Sequence, residues 1–484
     1  MKNKSQFLFL LLGRMLQVGL SVVTIRLMTE LLDPKEVGHQ YLINSFILWF
    51  SMVLINPVGM FVNRHVHEWS KKLILGPMMR ELTLYFILIA SLSVPILFAL
   101  QYFSLVDFQI STWILVLYFF IYIFLSTWFQ TLTSFFNLFQ WQRHFVFLNL
   151  FSQFSGLVLA TLAVKFYNPS AFSWLFGLLL GQIISLAVGV FFFQRKFSIF
   201  FADHQGSNES LFRLETLKFC YPIAITTIFM WFINQGYRIF IERQFGGSIL
   251  GEVGVGLGLA ASLAAVVGSL VTQFFYPKYY SSLPESTFDS RKSSWLWLWQ
   301  SSFSVYIPFC FLTVATAPLV VKALVAAKFS HVVKYVQFGA LIELFRQMSN
   351  MAYIASHAEK KTQNTIVPYA LGAAILFALL LAMSFWSEYL SVSSILVSLV
   401  LVGFLTLLFN LINVRRLLNQ GFQFKSMLKT FMKSLPILGL VFVNDIQQSF
   451  MFLFVGSVLA GLYCLALVFA DFIDWKKLLS RSKA

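Results

Sequence analysis

Residues 6–38 read QFLFLLLGRMLQVGLSVVTIRLMTELLDPKEVG, and this stretch decides the class of fold. Its first part, residues 6–31, is an apolar run longer than the roughly 20 residues that a helix needs to cross a bilayer. Arg14 and Arg26 nevertheless lie inside the run. A charge at mid-helix costs about 2.5–3.5 kcal/mol on insertion scales, so retained charges usually face a cavity or a partner. The stretch therefore predicts a membrane protein with a buried cationic path.

The composition indicates the same class for the whole chain. Of its 484 residues, 58% are hydrophobic, 18% aromatic and only 11% charged, a balance that a water-soluble chain of this length would not tolerate. We expect an all-α polytopic membrane protein with about 14 transmembrane helices, or 12 if the last two form a hairpin that does not cross. The predicted spans are 6–31, 41–62, 81–104, 113–137, 145–166, 171–193, 219–243, 249–275, 295–317, 333–356, 364–385, 390–414, 434–443 and 449–470.

The distribution of basic residues supports this count, because cytoplasmic loops are enriched in Lys and Arg. With both termini placed on the cytoplasmic side, 25 of the 35 Lys and Arg residues fall in inner segments and 7 in outer ones. The other 3 lie within spans, at Arg14, Arg26 and Arg346. The net charge of +16 is thus explained by topology and by attraction to anionic membrane lipids, and no nucleic acid is expected as a partner.

The order of the spans predicts two pseudo-symmetric six-helix lobes around a central cavity, with an appended helix pair. The predicted domains are an N-lobe at 1–193, a cytoplasmic linker at 194–218, a C-lobe at 219–417, and a helix pair with a basic cytoplasmic tail at 418–484. Two repeated lobes around one site are typical of transporters that alternate access. No outer loop is long enough to fold into a catalytic domain.

An internal repeat marks the ends of the first and seventh predicted spans. It consists of an arginine, a glutamate four residues later and a glycine eight or nine residues further on, at Arg26, Glu30 and Gly38 and again at Arg238, Glu242 and Gly251. The arginine and glutamate of each copy share a helix face. We interpret Glu30 and Glu242, with their arginines, as parts of an outer gate; a purely structural pair at the helix end is the alternative.

Arg14, Arg26, Arg64 and Arg238 are candidates for binding an anionic substrate. Arg14 has no acid within four positions, and its planar donor fork matches the oxygens of a phosphate. The alternatives for Arg14 are snorkelling to the inner surface or pairing with an acid of another span. Arg64 follows Asn56 and a proline that loosens the second span, which predicts a polar cavity mouth; ordinary positive-inside anchoring explains Arg64 equally well.

The seventh span adds groups that suit a sugar. Trp231 provides a stacking surface, and Asn234 and Gln235 provide amides that donate and accept hydrogen bonds. Packing in the protein core is the alternative role for the tryptophan.

Glu343 is the only acid deep inside a predicted span, which makes it a candidate for carrying a coupling ion, H⁺ or Na⁺. A salt bridge to Arg346, one turn along the same helix, is the alternative. The three cysteines lie in spans without a CxxC pair, so no structural metal, disulfide framework or cofactor is expected, at Cys220, Cys310 and Cys464.

Short motifs in the first, second and seventh spans then point to a known group. They are Leu11-Leu12-Gly13-Arg14, Thr24-Ile25-Arg26-Leu27, Leu31-Leu32-Asp33-Pro34-Lys35-Glu36-Val37-Gly38, Asn56-Pro57-Val58-Gly59, Asn63-Arg64, and Pro222 with Asn234-Gln235-Gly236-Tyr237-Arg238. In these motifs the chain resembles polysaccharide-repeat flippases, of the O-antigen type, in the multidrug/oligosaccharidyl-lipid/polysaccharide exporter superfamily. The resemblance covers both predicted lobes.

The resemblance implies a bacterial inner-membrane flippase that moves an oligosaccharide linked to undecaprenyl diphosphate from the inner to the outer leaflet. The product would enter lipopolysaccharide O-antigen or another surface glycan, with a polysaccharide polymerase and a chain-length regulator as possible partners. It also implies cavity-facing cations on the first, second, seventh and eighth helices. The eighth span of this chain departs from that pattern, since it carries glycines and no central charge. Because no bond is broken, no enzyme activity is expected.

Three other functions remain open from the sequence. A drug/cation antiporter of the same superfamily needs cavity carboxylates, and Glu343 is the only candidate. A lipid II flippase agrees with fourteen spans but matches less well in motif. A membrane enzyme such as an O-acyltransferase needs a buried histidine or an acid pair, whereas all 7 histidines fall at or outside span ends.

Overall fold

The computed structural model describes residues 2–103, 106, 108, 110–197, 210–281, 288–359, 361–419, 424–444 and 448–481, and these residues form helices joined by short loops. The α-helices are α1 (Lys2–Leu31), α2 (Pro34–Phe50), α3 (Asn56–Lys71), α4 (Leu75–Tyr102), α5 (Thr112–Leu138), α6 (Gln142–Phe166), α7 (Ala171–Phe197), α8 (Leu214–Trp231), α9 (Tyr237–Phe274), α10 (Tyr276–Ser281), α11 (Phe288–Leu324), α12 (Val333–Ala358), α13 (Ile366–Phe385), α14 (Val392–Leu418), α15 (Phe424–Leu438) and α16 (Phe450–Arg481). Short 3-10 helices occupy Ala327–Val332, Thr362–Thr365, Ser387–Tyr389 and Gly439–Phe442.

The predicted fold class, an all-α polytopic membrane protein, is confirmed. Within the described residues, ten helical segments are long and apolar enough to span a bilayer, and one of them, Leu214–Tyr280, is 67 residues long and contains two predicted spans. Helices α1 and α12, of 30 and 26 residues, have the length of a span as well. Helix α15 has 15 residues, about 22 Å at 1.5 Å per residue. Helix α15 alone is therefore shorter than the hydrocarbon core. It begins ten residues before the predicted span 434–443 and continues directly into the 3-10 helix Gly439–Phe442.

Two π-helical segments interrupt spans at mid-length, Ser51–Ile55 between α2 and α3 and Phe232–Gly236 between α8 and α9. The first immediately precedes Asn56 and Pro57, and proline has no N–H to donate to the preceding turn. The backbone N–H of Asn56 bonds to the Ser51 carbonyl, five residues back. The Tyr85 hydroxyl donates to the Leu54 carbonyl at 2.7 Å. A side chain of α4 therefore supplies a donor where the helix geometry loosens, as the bilayer interior requires.

The chain forms two compact units, Met1–Gly251 and Glu252–Ala484. The first unit includes α8 and the start of α9, which belong to the predicted C-lobe. The predicted linker 194–218 lies partly outside the described residues, at 198–209. The lobe boundaries remain a prediction.

Each unit is held by close helix packing. In the first unit, α6 and α7 meet through small residues: a Cβ on Gly177 would lie 2.3 Å from Ala160 Cα, and one on Gly181 would lie 2.2 Å from Gly156 N. Such approach is the usual basis of helix association in lipid, where the hydrophobic effect between helices is absent. In the second unit, α11 is the most deeply buried helix, and its Trp295 and Trp299 rings stack at 5.6 Å.

Candidate functional site

The two arginines of α1 have different surroundings. Arg14 is exposed, and its Nη1 donates to the neutral Oε1 of Gln17 at 2.9 Å. Arg26 forms the expected pair with Glu30, with 3.5 Å between Nε and Oε2, and both side chains are about half exposed, at 41% and 58%. The two arginines lie about 18 Å apart along the helix axis, from their spacing of twelve residues. Arg14 and Arg26 therefore lie in different parts of the first span, more than three helical turns apart.

Arg238 is held by the second span. It is buried, its Nη1 donates to the Tyr41 carbonyl at 3.3 Å and to Ser45 Oγ at 3.1 Å, and its guanidinium lies over the Tyr41 ring at 5.1 Å. No carboxylate is among the contacts of Arg238 in the part of the chain that the structure describes. The sequence suggested Glu242, one turn along the same helix, as the partner; the guanidinium contacts Tyr41, Ser45 and Tyr237.

Two other predicted residues of the seventh span meet the same serine. Trp231 Nε1 donates to the Ser45 carbonyl at 2.7 Å, and Gln235 Oε1 accepts from Ser45 Oγ at 3.4 Å. Asn234 is half-buried on the same π segment. We call Tyr41, Ser45, Trp231, Gln235 and Arg238 the Ser45 cluster. In this conformation Trp231 and Arg238 join α2 to the seventh span. A substrate could reach these two side chains only by displacing their contacts with α2.

The two repeat glycines lie against each other. A Cβ on Gly38 would be 1.9 Å from the Gly247 carbonyl oxygen, and a Cβ on Gly251 would be 1.9 Å from the Pro34 carbonyl oxygen. Each glycine thus faces the carbonyl four residues before the other glycine, which makes the contact reciprocal. The chain turns into this region at Gly246, whose φ of 82° and ψ of 171° lie in a region essentially restricted to glycine. We call this contact the glycine crossing.

A cavity of about 310 Å³ lies within the first unit, between the π segment with α3 on one side and α4 and α5 on the other. Its polar lining consists of amides and hydroxyls, at Ser51, Asn56, Asn63, Gln130, Thr131 and Ser134. Ser134 Oγ donates to Asn63 Oδ1 at 2.9 Å and links α5 to α3. Arg64, the residue after Asn63, is exposed. Of the predicted residues, Asn56 lines this cavity, which we call the amide cavity, whereas Arg64 is not among the lining residues and directly follows one of them, Asn63.

Glu343 lies in the second unit and is 7% exposed. Its carboxylate accepts from Nη2 of Arg346, so the salt bridge weighed as an alternative is formed. A cavity of about 10 Å³ beside Glu343 is lined also by Tyr306, Cys310, Thr313 and Gln347, which is close to the smallest volume that holds a water. Among the described residues, no group of three or more His, Cys, Asp or Glu side chains could hold a metal ion.

Residues 83–334, more than half of the chain, match a protein family described as polysaccharide biosynthesis protein. The chain belongs to this family. None of the curated protein sequences matches the chain.

Solved structures share its fold. The lipid II flippase MurJ in an inward closed conformation has a TM-score of 0.69 at 14% identity, over 98% of this chain and 99% of that one. The eukaryotic MATE transporter AtDTX14 has a TM-score of 0.57 at 14% identity, over 89% of this chain and 100% of that one. A mutant of the Vibrio cholerae MATE transporter VcmN has a TM-score of 0.52 at 9% identity, over 84% and 94%. Together with the family match, these likenesses confirm the resemblance to the flippase superfamily; the proteins that share the fold are transporters and not enzymes.

Sequence reasoning missed several residues of these sites. Gln130, Thr131 and Ser134 line the amide cavity, and Tyr41 and Ser45 hold Arg238. A signal for the first group was present, because Gln130 and Ser134 are four residues apart and therefore share one face of α5. No comparable signal exists for Ser45, since its role depends on which helix packs against α2.

Proposed function

We propose that this protein is a flippase that moves oligosaccharide repeat units linked to undecaprenyl diphosphate across the cytoplasmic membrane. One observation carries the proposal: Arg14 lies within a membrane span and its described partner is an uncharged amide. A cation in lipid surroundings is costly unless an anion compensates it. A diphosphate headgroup supplies that anion, and the guanidinium fork fits its oxygens.

The other cations extend this reading. Arg64 lies toward the predicted inner end of the second span, and Arg26 and Arg238 lie toward the predicted outer ends of the first and seventh. A diphosphate would contact Arg14 and Arg64 while the protein is open to the inside. Arg238 would become available once the Ser45 cluster opens. Family membership supports a role in polysaccharide biosynthesis, whose lipid-linked intermediates carry this headgroup.

The test is the lipid-linked saccharide pool, measured by leaflet in cells that lack the protein and are complemented with variants. Undecaprenyl-diphosphate oligosaccharide should accumulate on the inner leaflet in the deletion strain and with Arg14→Ala, with loss of surface glycan, and Arg14→Lys should restore it only in part. Arg415→Ala, which removes an exposed cation at the end of α14, is the matched control. Trapping of lipid II in place of the oligosaccharide would assign the protein to lipid II transport. An unchanged pool with normal surface glycan would favour a drug antiporter and defeat the proposal.

We further propose that transport is coupled to a proton through Glu343. Sodium is the other candidate. The guanidinium of Arg346 already lies beside the Glu343 carboxylate, and it would repel a second cation there. Protonation of Glu343 would remove its charge and release Arg346. The other titratable groups beside the adjoining cavity are Tyr306 and Cys310. Glu343→Gln mimics the protonated acid, so transport by that variant should no longer respond to a pH gradient; a retained response, or a requirement for sodium, would place coupling elsewhere.

A further inference from the structure

The amide cavity has the chemistry of a site for an uncharged, hydroxyl-rich ligand. Its volume of about 310 Å³ is at the lower end of the range of small-molecule sites, about 300–1,000 Å³. None of its thirteen lining residues is charged. Amides and hydroxyls both donate and accept hydrogen bonds, as sugar hydroxyls do. Leu82, Phe86 and Met60 add an apolar wall for the C–H face of a ring.

The amides of this cavity are available to a ligand. Asn56 and Gln130 are exposed, and no hydrogen bond joins either side chain to another residue within the described ranges. Asn63 is instead oriented by Ser134. An amide in a membrane span needs a polar partner, which the protein, cavity water or a ligand can supply. The donors and acceptors of Asn56 and Gln130 are therefore open to the hydroxyls of a ligand that replaces cavity water.

The wall of the cavity is built by the first π segment. Ser51, Met52 and Ile55 belong to that segment and line the cavity together with Asn56. π bulges inside α-helices often occur at functional sites. Tyr85 fixes this one from α4 through its bond to the Leu54 carbonyl. The irregular backbone is thus stabilised by a neighbouring helix, so the cavity is largely preformed.

We propose that the amide cavity binds an uncharged sugar of the lipid-linked substrate, next to a diphosphate held at Arg64. This assignment rests on the proposed function. Arg64 does not line the cavity, but it follows the lining residue Asn63 directly, so a headgroup held by its long side chain lies close enough for the attached sugar to reach the cavity. Asn56 lies about 10 Å deeper along the same helix, seven residues at 1.5 Å each. Hydrogen bonds from the sugar to Asn56, Asn63 and Gln130 would then make the glycosylated carrier bind more tightly than the carrier alone.

A binding experiment separates the sugar from the carrier. The full-length protein in lipid nanodiscs is titrated with undecaprenyl diphosphate alone, and with undecaprenyl diphosphate that bears one glucose, galactose or N-acetylglucosamine. At least one sugar should tighten binding by about 10-fold or more, as expected for one to two net hydrogen bonds to a neutral ligand. A carrier that bears a uronic acid should gain nothing, because the cavity has no cation for the carboxylate.

Gly59→Leu is the decisive variant. Gly59 lines the cavity, and a Cβ added there meets nothing within 4 Å, so the backbone accepts a side chain at this position and a leucine takes up cavity volume. We expect the increase in affinity that the sugar causes to vanish, while the affinity for undecaprenyl diphosphate alone is unchanged. Asn56→Leu and Gln130→Leu should each reduce the gain about 5-fold. Gly461→Leu, at another open helical position, and Gln153→Leu, an exposed amide of α6, should leave it intact.

The outcomes distinguish the two proposals. If the wild-type protein does not bind undecaprenyl diphosphate at all, the proposed function fails. If it binds the bare carrier but gains nothing from any of the three sugars, or if the gain survives in Gly59→Leu, the cavity is not a sugar site and the proposed function stands. Unchanged binding of the bare carrier also shows that each variant is folded.

Discussion

The glycine crossing makes a quantitative expectation possible for Gly38→Ala. The added Cβ would lie 1.9 Å from the Gly247 carbonyl oxygen, whereas real Cβ atoms essentially never come closer than 3.0 Å to a neighbouring heavy atom. The two backbones must therefore separate by about 1 Å or more. Overpacking of this kind costs about 1–3 kcal/mol. The closed crossing should thus become less populated, by about 5-fold to more than 100-fold relative to an open one.

Cysteine labelling measures that population. The native cysteines are buried and can be replaced, and His39→Cys introduces a probe at the crossing, since His39 is 4% exposed and its Nε2 would lie 3.2 Å from a Cβ on Gly247. In this background Gly38→Ala should raise the rate of reaction with a membrane-impermeant maleimide at least about 5-fold, the lower end of the same estimate. Gly59→Ala, where the methyl meets open space, is the control and should not change the rate.

The double variant sharpens the test. Gly38→Ala and Gly251→Ala act on one reciprocal contact, so once the first methyl has separated the helices, the second should add little. The two effects should be clearly less than additive, as expected for residues that share a contact. Equal labelling rates in the parent and in Gly38→Ala, with unchanged thermal stability, would refute the reasoning.

Three further expectations follow from single contacts. Gly246→Ala should lower the free energy of unfolding by about 1–3 kcal/mol, because its φ of 82° and ψ of 171° are strained for any other residue, and thermal unfolding in detergent measures this. Tyr85→Phe removes the donor to the Leu54 carbonyl and should cost about 1–3 kcal/mol in the same measurement; an unchanged melting temperature would mean that water replaces the hydroxyl. Arg238→Ala should reduce both transport and thermal stability, and Arg238→Lys should not fully restore either, because one ammonium cannot replace two nitrogens, Nη1 on Tyr41 and Ser45 and Nε on the Tyr237 hydroxyl. Normal abundance with full transport in Arg238→Ala would exclude a role for that arginine.

The sequence predicted the features that depend on local spacing. The Arg26–Glu30 pair follows from a four-residue interval on one helix, and the structure forms it. The break between the seventh and eighth spans was expected within 244–248, and it lies at Gly246. The spanning helices were predicted from apolar runs long enough to cross the bilayer. Such a run forms a helix in lipid because the helix satisfies its own backbone hydrogen bonds.

Features that depend on which helices meet were not predictable. Arg238 and Glu242 have helical spacing, but the guanidinium bonds to Tyr41 and Ser45, which lie nearly 200 residues earlier in the chain. The choice between these partners is decided by the register between α2 and the seventh span, which no local pattern encodes. The amide cavity is missed for the same reason, since Asn63 and Ser134 meet only when α3 and α5 pack.

The second span joins two sets of contacts that a transport cycle would have to coordinate. Its first half, α2, is bound to the seventh span by the Ser45 cluster and contributes Gly38 to the glycine crossing. Its second half, α3, lines the amide cavity and carries Arg64. The π segment between the halves breaks the regular hydrogen-bond ladder there. A ligand can shift a conformational equilibrium only by the difference in its affinity for the two states. A sugar bound to Asn56, as we propose, would contact the residue that directly follows the π segment. We therefore expect occupancy of the amide cavity to act through this span on the contacts at its other end.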